Sequence, residues 1–304
     1  MKLNFETLTP LHIYSGDELA QNIRYVIEND ELFVLNNMKV SSLLASKKVF
    51  DFNRKYSIKE IQKIVKDNGS QIAATCSDYA IKTTNRFNLL LGSENKVGMT
   101  YVMEFINSNG KMYIPGSSVK GALLTILHKS SLGIVNDISE KFVIRDSEAL
   151  DAQAFSVYRT EIGRPPINLI CLDAGETFSL EVPKLGTLKI EELKTKLKEY
   201  YSKQIPKAYN KIKTFVSHKN KEAGANLYVE ALESFLDIDL GNDQYLINLG
   251  FGSGSWFKLY DDVIPPKFRK PGRHGAEQEA HTSFLPVDDD GFAHIGWCLL
   301  TIEE

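Results

Sequence analysis

Ile114-Pro115-Gly116-Ser117-Ser118-Val119-Lys120-Gly121-Ala122 reads as the end of a strand, a glycine-serine turn and the opening of a helix. Lys111 to Ile114 carries a short alternating run, Pro115 stops it, and Ala122 to Leu127 supplies an apolar helical face. The first N–H groups of a helix have no partner within it, and the helix dipole favours negative charge in front of them. Lys120 falls in the first turn, where a cation opposes that dipole, so its placement makes sense if a phosphate sits between lysine and helix. A serine N-cap followed by a surface lysine accounts for the same residues, and the local pattern alone leaves both readings open.

Outward from this turn, short strands and helices mix. Lys2 to Ile13 reads as a strand, and Ile23 to Ile27 with Leu32 to Leu35 as a hairpin turned at Asn29-Asp30. Met38 to Ser46 is a short helix, and Ser57-Ile58-Lys59-Glu60 is a capping box that opens another, through about Val65. Met99 to Ile106 and Lys111 to Ile114 are strands joined across Asn107 to Gly110. Strands follow at Phe142 to Ile144 and Phe155 to Arg159, then a hairpin from Ile167 through Ala174-Gly175 to Val182. Helices take over from Ile190 to about Phe235, with Ile190, Leu193, Leu197 and Tyr200 on one face, Ile205, Ala208, Ile212 and Phe215 on another, and Pro206 near a helix start. Strand character returns at Tyr245 to Leu249 and Phe292 to Ile302. Without strict βαβα alternation, this order predicts an α+β chain of split βαβ units of ferredoxin-like type.

The 304 residues, 43% of them apolar, suffice for one large domain or two ordinary ones. No apolar run approaches the roughly 20 residues that span a bilayer, and Met1 to Glu6 lacks a signal-peptide core, so the expected location is cytoplasmic. Cys76, Cys171 and Cys298 are widely spaced with no Cys-x-x-Cys pair, which argues for buried apolar fillers over a disulfide framework or thiolate zinc site. The net charge of −3 hides an uneven distribution. Eleven lysines against three glutamates lie between Lys184 and Lys221, which reads first as a solvated helix face. A second cluster gathers Lys267, Arg269, Lys270, Arg273 and His274, held out of regular structure by Pro265, Pro266, Pro271, Gly272 and Gly275.

A second glycine-rich element, Gly250-Phe251-Gly252-Ser253-Gly254-Ser255-Trp256, follows the strand ending at Leu249. It is not the dinucleotide fingerprint, and no Gly-Lys-Ser/Thr lies near it, which argues against nucleotide hydrolysis. It reads as a tight inter-strand turn or as a wrap around a backbone phosphate, and Phe251, Trp256 and Phe257 as core residues or base-stacking rings. His274, Glu277, Glu279 and His281 are the closest grouping of potential ligands, but nothing fixes their geometry, so no metal is expected. His12 with Ser15, and His128 with Ser130 and Ser131, lack the further partner that acid-base or nucleophilic work needs, so both read as structural.

Taken together, Thr9-Pro10-Leu11-His12-Ile13-Tyr14-Ser15-Gly16, Ile114 to Gly121 and Leu249-Gly250-Phe251-Gly252-Ser253-Gly254 resemble the RAMP superfamily of CRISPR proteins. Their order, with the closing Gly296-Trp297-Cys298, is similar to the family that forms the fifth subunit of type III-A (Csm) effector complexes. Tyr14 departs from the pattern, where the family usually has glycine. The resemblance implies a RAMP architecture of ferredoxin-like, RRM-like units with an inserted helical region. On that reading, residues 1–182 form an N-terminal RRM-like domain and 183–304 a helical segment with a second, degenerate RRM-like domain.

It also implies a non-catalytic RNA-binding cap of the complex. Its partners would be the 3′ part of the CRISPR RNA, the repeated backbone subunit and host nucleases, with no membrane, metal or cofactor. CRISPR RNA maturation and antiviral defence would be its context. The phosphate contacts expected are Gly116, Ser117, Ser118, Lys120 and Gly121, then Gly250, Gly252, Ser253 and Gly254, then His12, Ser15 and Gly16. Lys267, Arg269 and Arg273 of the second basic cluster would add charge. The related backbone subunit cleaves RNA with a loop aspartate, whereas Leu19 to Tyr25 here holds no carboxylate and Asp17 and Glu18 come earlier. The competing expectations are an endoribonuclease for precursor CRISPR RNA using His12 as general base, and another structural RAMP subunit that grips the 5′ handle.

Overall fold

The computed structural model describes residues 1–51, 53–92, 100–127, 141–160, 167–210, 213, 230, 232–251, 270–271, 277–278, 284–286 and 292–304. β1 (Lys2–Thr7) buries Leu3, Phe5 and Thr7 and turns Lys2 and Glu6 outward, the period of a strand with one face on a core. β2 (Tyr14–Ala20) precedes β3 (Tyr25–Glu28) and β4 (Glu31–Leu35). Between the last two, Asn29 and Asp30 take φ of 50° and 61°, as a tight type I′ hairpin requires.

Three helices follow. α1 (Asn37–Ser46) is capped by the Asn36 side chain, which accepts from the Met38 and Lys39 amides. α2 (Ile58–Asp67) carries the reciprocal Ser57–Glu60 box read from the sequence, and α3 (Gly69–Cys76) completes the group. They share a small core of Val40, Leu44, Val65, Ile72, Ala73 and Cys76 with Val26 and Leu35.

β5 (Ser77–Thr83), α4 (Asn85–Gly92), β6 (Tyr101–Phe105) and the short hairpin of β7 (Asn107–Ser108) and β8 (Lys111–Met112) lead to α5 (Gly116–Leu127). Then come β9 (Phe155–Arg159), β10 (Asn168–Leu172), β11 (Thr177–Glu181) and α6 (Ile190–Glu199). β12 (Gln244–Asn248) is followed by the pair β13 (Lys270–Pro271) and β14 (Glu277–Gln278), the pair β15 (Phe284–Pro286) and β16 (Phe292–His294), and the closing β17 (Trp297–Glu303).

Two sheets organise these strands. The first runs β11-β1-β17-β12 with every neighbour antiparallel, so β1 and β12 are parallel with β17 between them, the split arrangement the sequence predicts. The second runs β2-β6-β10-β9-β5-β4-β3, with β6–β10 and β9–β5 parallel. Its outer strands β2 and β3 are joined by the turn 21–24, and Gln21 bridges to Tyr25, so the sheet curls on itself. The curl brings the Tyr79 hydroxyl of β5 to donate to Glu104 of β6 at 2.8 Å, although β9 and β10 lie between those strands. One large core spans both sheets, from Leu3 and Phe5 through Phe105, Phe155 and Leu197 to Tyr245 and Trp297. Residue 182 lies at the end of β11, and strands from both sides of it pair in the first sheet.

The α+β architecture agrees with expectation, and several local elements differ for identifiable reasons. The first strand stops at Thr7, because the chain then folds over the start of β17, where the Leu8 and Thr9 amides both donate to the Trp297 carbonyl. β10 and β11 do not form a hairpin. They belong to different sheets, and the Ala174-Gly175 turn carries the chain between them, tied by Gly175 N–H to Thr7 O (2.6 Å) and Glu176 N–H to Thr7 Oγ1 (2.9 Å). Pro206 lies inside a helical run instead of opening one. A π-helical turn, Tyr200–Gln204, precedes it and accommodates the hydrogen bond that proline cannot make. Phe142 to Ile144 makes one bridge, Val143 with Lys184. Phe292 to Ile302 is broken at Ile295-Gly296, and Ile212 and Phe215 lie outside the described residues. The three cysteines are free and buried, as expected.

At the break, Gly296 takes φ of +88°, its amide donates to Pro10 O (2.9 Å) and its carbonyl accepts from Leu249 N–H (2.8 Å). A Cβ there would overlap the Leu249 carbonyl oxygen. Gly16 also has positive φ, +101°, but open space around its Cβ position. Gly296→Ala is therefore expected to destabilise the chain by at least about 3 kcal/mol, and Gly16→Ala by no more than about 2 kcal/mol. Equal losses in urea unfolding would contradict this ranking.

Candidate nucleic-acid interface

The first and last glycine-bearing motifs meet. After β1 the chain is held on one side by Leu11, which exchanges amide hydrogen bonds with Leu172 at the end of β10 (2.9 and 2.8 Å). On the other side, His12 O accepts from the Phe251 amide at 2.7 Å. Gly250 enables that approach: its φ is +81° and a Cβ would overlap the His12 carbonyl oxygen. Trp297 N–H donates to Thr9 Oγ1 at 2.9 Å, closing the junction from the β17 side.

His12 is fully buried in this junction. Its Nδ1 lies 2.6 Å from the Ile170 carbonyl oxygen, so the ring carries its proton there as the neutral tautomer. Burial holds its pKa down to about 4, against a smaller opposing pull from that carbonyl. The rings of Tyr14, Phe105 and Phe251 surround it at centroid distances of 6.1, 6.1 and 5.8 Å. Tyr14 and Phe251 also face each other at 5.8 Å, and Phe251 is 38% exposed, so the junction presents an aromatic surface. Next to it, Ser15 Oγ accepts from the Asp17 amide, Tyr14 Oη donates to Gly16 O, and Gly16, Asp17 and Glu18 are exposed.

The middle motif sits one hairpin away. Ile106 N–H donates to Ile13 O at 2.9 Å, and β7 and β8 then lead through Ile114 to α5. That helix begins at Gly116 with Pro115 as its cap, Ser118 N–H bonding Pro115 O at 3.0 Å, so both serines lie in the first turn instead of capping it. The Gly116 amide donates to the Asp146 carboxylate at 2.8 Å, and its Cβ position is filled by the carbonyls of Ile144 and Arg145. A carboxylate of the chain itself thus occupies the first anion position at this helix start. Ser117 and Gly121 are exposed, Ser118 and Lys120 half-buried, and nothing approaches the Cβ position of Gly121 within 4 Å.

Of the remaining expected contacts, Gly252, Ser253, Gly254, Lys267, Arg269 and Arg273 lie outside the described residues, as do Trp256, Phe257, His128, Ser130, Ser131, His274, Glu279 and His281. Among the described residues no group of His, Cys, Asp or Glu is arranged to hold a metal ion, and no helix is long and apolar enough to cross a membrane. In the lysine-rich helix, Lys194 bonds Glu304 (2.9 Å) and Lys196 bonds Glu199 (2.8 Å), so part of its charge is neutralised locally. Asp146 was not visible as a site residue in the sequence, since nothing near position 116 announces a carboxylate thirty residues on.

The buried neutral His12 couples stability to pH. Its folded pKa of about 4 lies below the ordinary histidine value of 6.5, so between these values the unfolded chain binds more protons. The contribution is complete above pH 6.5 and is lost as pH falls toward 4, about 3 kcal/mol in all. An NMR titration of the His12 ring is expected to show the neutral form at pH 5, and a ring protonated near pH 6.5 would contradict the assignment.

Comparison with known proteins bears on the family and the fold. The family model described as the RAMP superfamily matches residues 4–258. The CRISPR system protein Csm5 of Methanocaldococcus jannaschii is 26% identical over an alignment 306 positions long, gaps included, which covers 84% of this chain and 71% of that protein. A chain of a solved type III-A Csm–crRNA–target RNA ternary complex superposes with a TM-score of 0.65 at 18% identity, covering 99% of this chain and 100% of its own. The crystal structure of T. onnurineus Csm5 superposes with a TM-score of 0.57 at 17% identity, covering 97% and 99%. With its motifs, its split sheet and a family match over most of its length, the chain belongs to the RAMP superfamily.

Proposed function

We propose that this chain is a non-catalytic, RNA-binding subunit of a type III-A CRISPR (Csm) effector complex. It caps the repeated backbone at the 3′ part of the CRISPR RNA and supports the maturation of that RNA. The observation that carries the reading is the junction of the first and last motifs, where Gly16 and Phe251 are exposed beside a rigid backbone crossing. The likeness to Csm5 supports the choice of complex. Backbone amides and small hydroxyls recognise phosphate and sugar and leave base identity unread, which suits a guide whose sequence varies.

The endoribonuclease alternative needs His12 within reach of a ribose hydroxyl. Its ring is sealed from solvent and its Nδ1 is committed to Ile170 O, which supports a structural histidine. The 5′-handle alternative has no specific observation in its favour.

Two outcomes are expected. In a complex reconstituted with the other effector subunits and CRISPR RNA, photo-crosslinks from this chain fall in the 3′ part of the RNA, and crosslinks confined to the 5′ handle would contradict the assignment. Gly121→Ala, which places a methyl group in open space on a helix, stabilises the isolated chain by about 1 kcal/mol. If RNA backbone approaches this turn, the same substitution weakens RNA binding. Unchanged affinity would remove Gly121 from the interface without any ambiguity from folding.

A further inference from the structure

We infer that the exposed face of α2 is a second RNA footprint, which holds a single strand through the row Lys59, Lys63 and Lys66. Residues 36–76 carry eight Lys and Arg against three Asp and Glu, a net +5 in a chain whose total is −3. Of the three carboxylates, Glu60 is held by Arg54 and by its capping bonds to Ser57, Asp51 accepts from the Asn53 amide, and Asp67 lies exposed at the C-terminal end of the helix, already counted in the net charge. Lys48, Lys55, Lys59, Lys63 and Lys66 are exposed, and none forms an ion pair among the described residues.

Helical spacing puts Lys59, Lys63 and Lys66 on one stripe, opposite the side that Ile61, Ile64 and Val65 press into the small three-helix core. The stripe is about 10 Å long. Lysine is depleted where proteins bury one another and is common where they neutralise phosphates, so the chemistry favours a polyanionic strand over a protein surface.

The position fits a strand that has passed the junction of the motifs. Gln62 Nε2 donates to Gln21 O at 3.2 Å, seating α2 at the far end of β2, whose near end is Tyr14-Ser15-Gly16. The two places are about 20 Å apart along that strand. Asp17 and Glu18 are exposed between them and repel phosphate, so the lysine row is a separate footprint and not an extension of the first.

The inference rests on the RNA-binding reading, and one experiment separates the two. Binding of the full chain to a single-stranded RNA of about 30 nucleotides is measured across salt concentrations for three proteins. They are the wild type, Lys59→Gln/Lys63→Gln/Lys66→Gln, and a control with equal charge loss, Lys184→Gln/Lys189→Gln/Lys198→Gln. Loss of three phosphate contacts flattens the slope of log K against log salt by about 2 units in the α2 variant. The control leaves it unchanged, and circular dichroism confirms that both variants fold. A slope unaltered in the α2 variant, or flattened equally in both, overturns the footprint while wild-type binding preserves the RNA-binding reading. A wild type that binds no RNA at low salt removes that reading and the footprint with it.

Discussion

Four stretches of backbone cross within hydrogen-bond distance of one another where Pro10 to His12, Leu249 to Phe251, Gly296-Trp297 and the end of β10 come together. No side chain fits at the closest points, which is why glycine stands at 250 and 296. The crossing does more than close a loop. It fastens the chain's beginning to its end, joins the first sheet to the second through the Leu11–Leu172 pair, and fixes which residues emerge on the surface. His12 fills the space beneath it, and its tautomer follows from the Ile170 carbonyl that meets Nδ1.

This constraint gives the glycines of the family motifs two different duties. Gly250, Gly296 and Gly116 are occupied by the protein's own backbone, whereas Gly16 and Gly121 face open space. A motif written as a row of glycines therefore mixes residues that build the turn with residues that leave room beside it. The same division holds at the start of α5, where Asp146 takes the first amide and Ser117 and Gly121 are exposed.

Features encoded by local chemistry were legible in the sequence. The Asn29-Asp30 hairpin and the Ser57–Glu60 capping box each follow from residues within four positions of one another. The split β arrangement was legible as a class, from the order of short strands. Features that depend on distant partners were not. Ala174-Gly175 looks like any hairpin turn until Thr7 pulls it toward the other sheet. Pro206 looks like a helix start because the π turn before it leaves no mark in the residue pattern. The burial of His12 likewise depends on Phe105 and Phe251, far apart in the chain.

On the proposed function, Ser15 and Gly16, the first turns of α5 and Phe251 lie along one RNA path, which ends before the carboxylates of Asp17 and Glu18. Hydrogen exchange of the full chain, with and without bound CRISPR RNA, tests it most directly. Amides of residues 15–16, 117–121 and 251 are expected to gain protection together on binding. Protection confined to one of these segments, or absent from all three while RNA is bound, would contradict it.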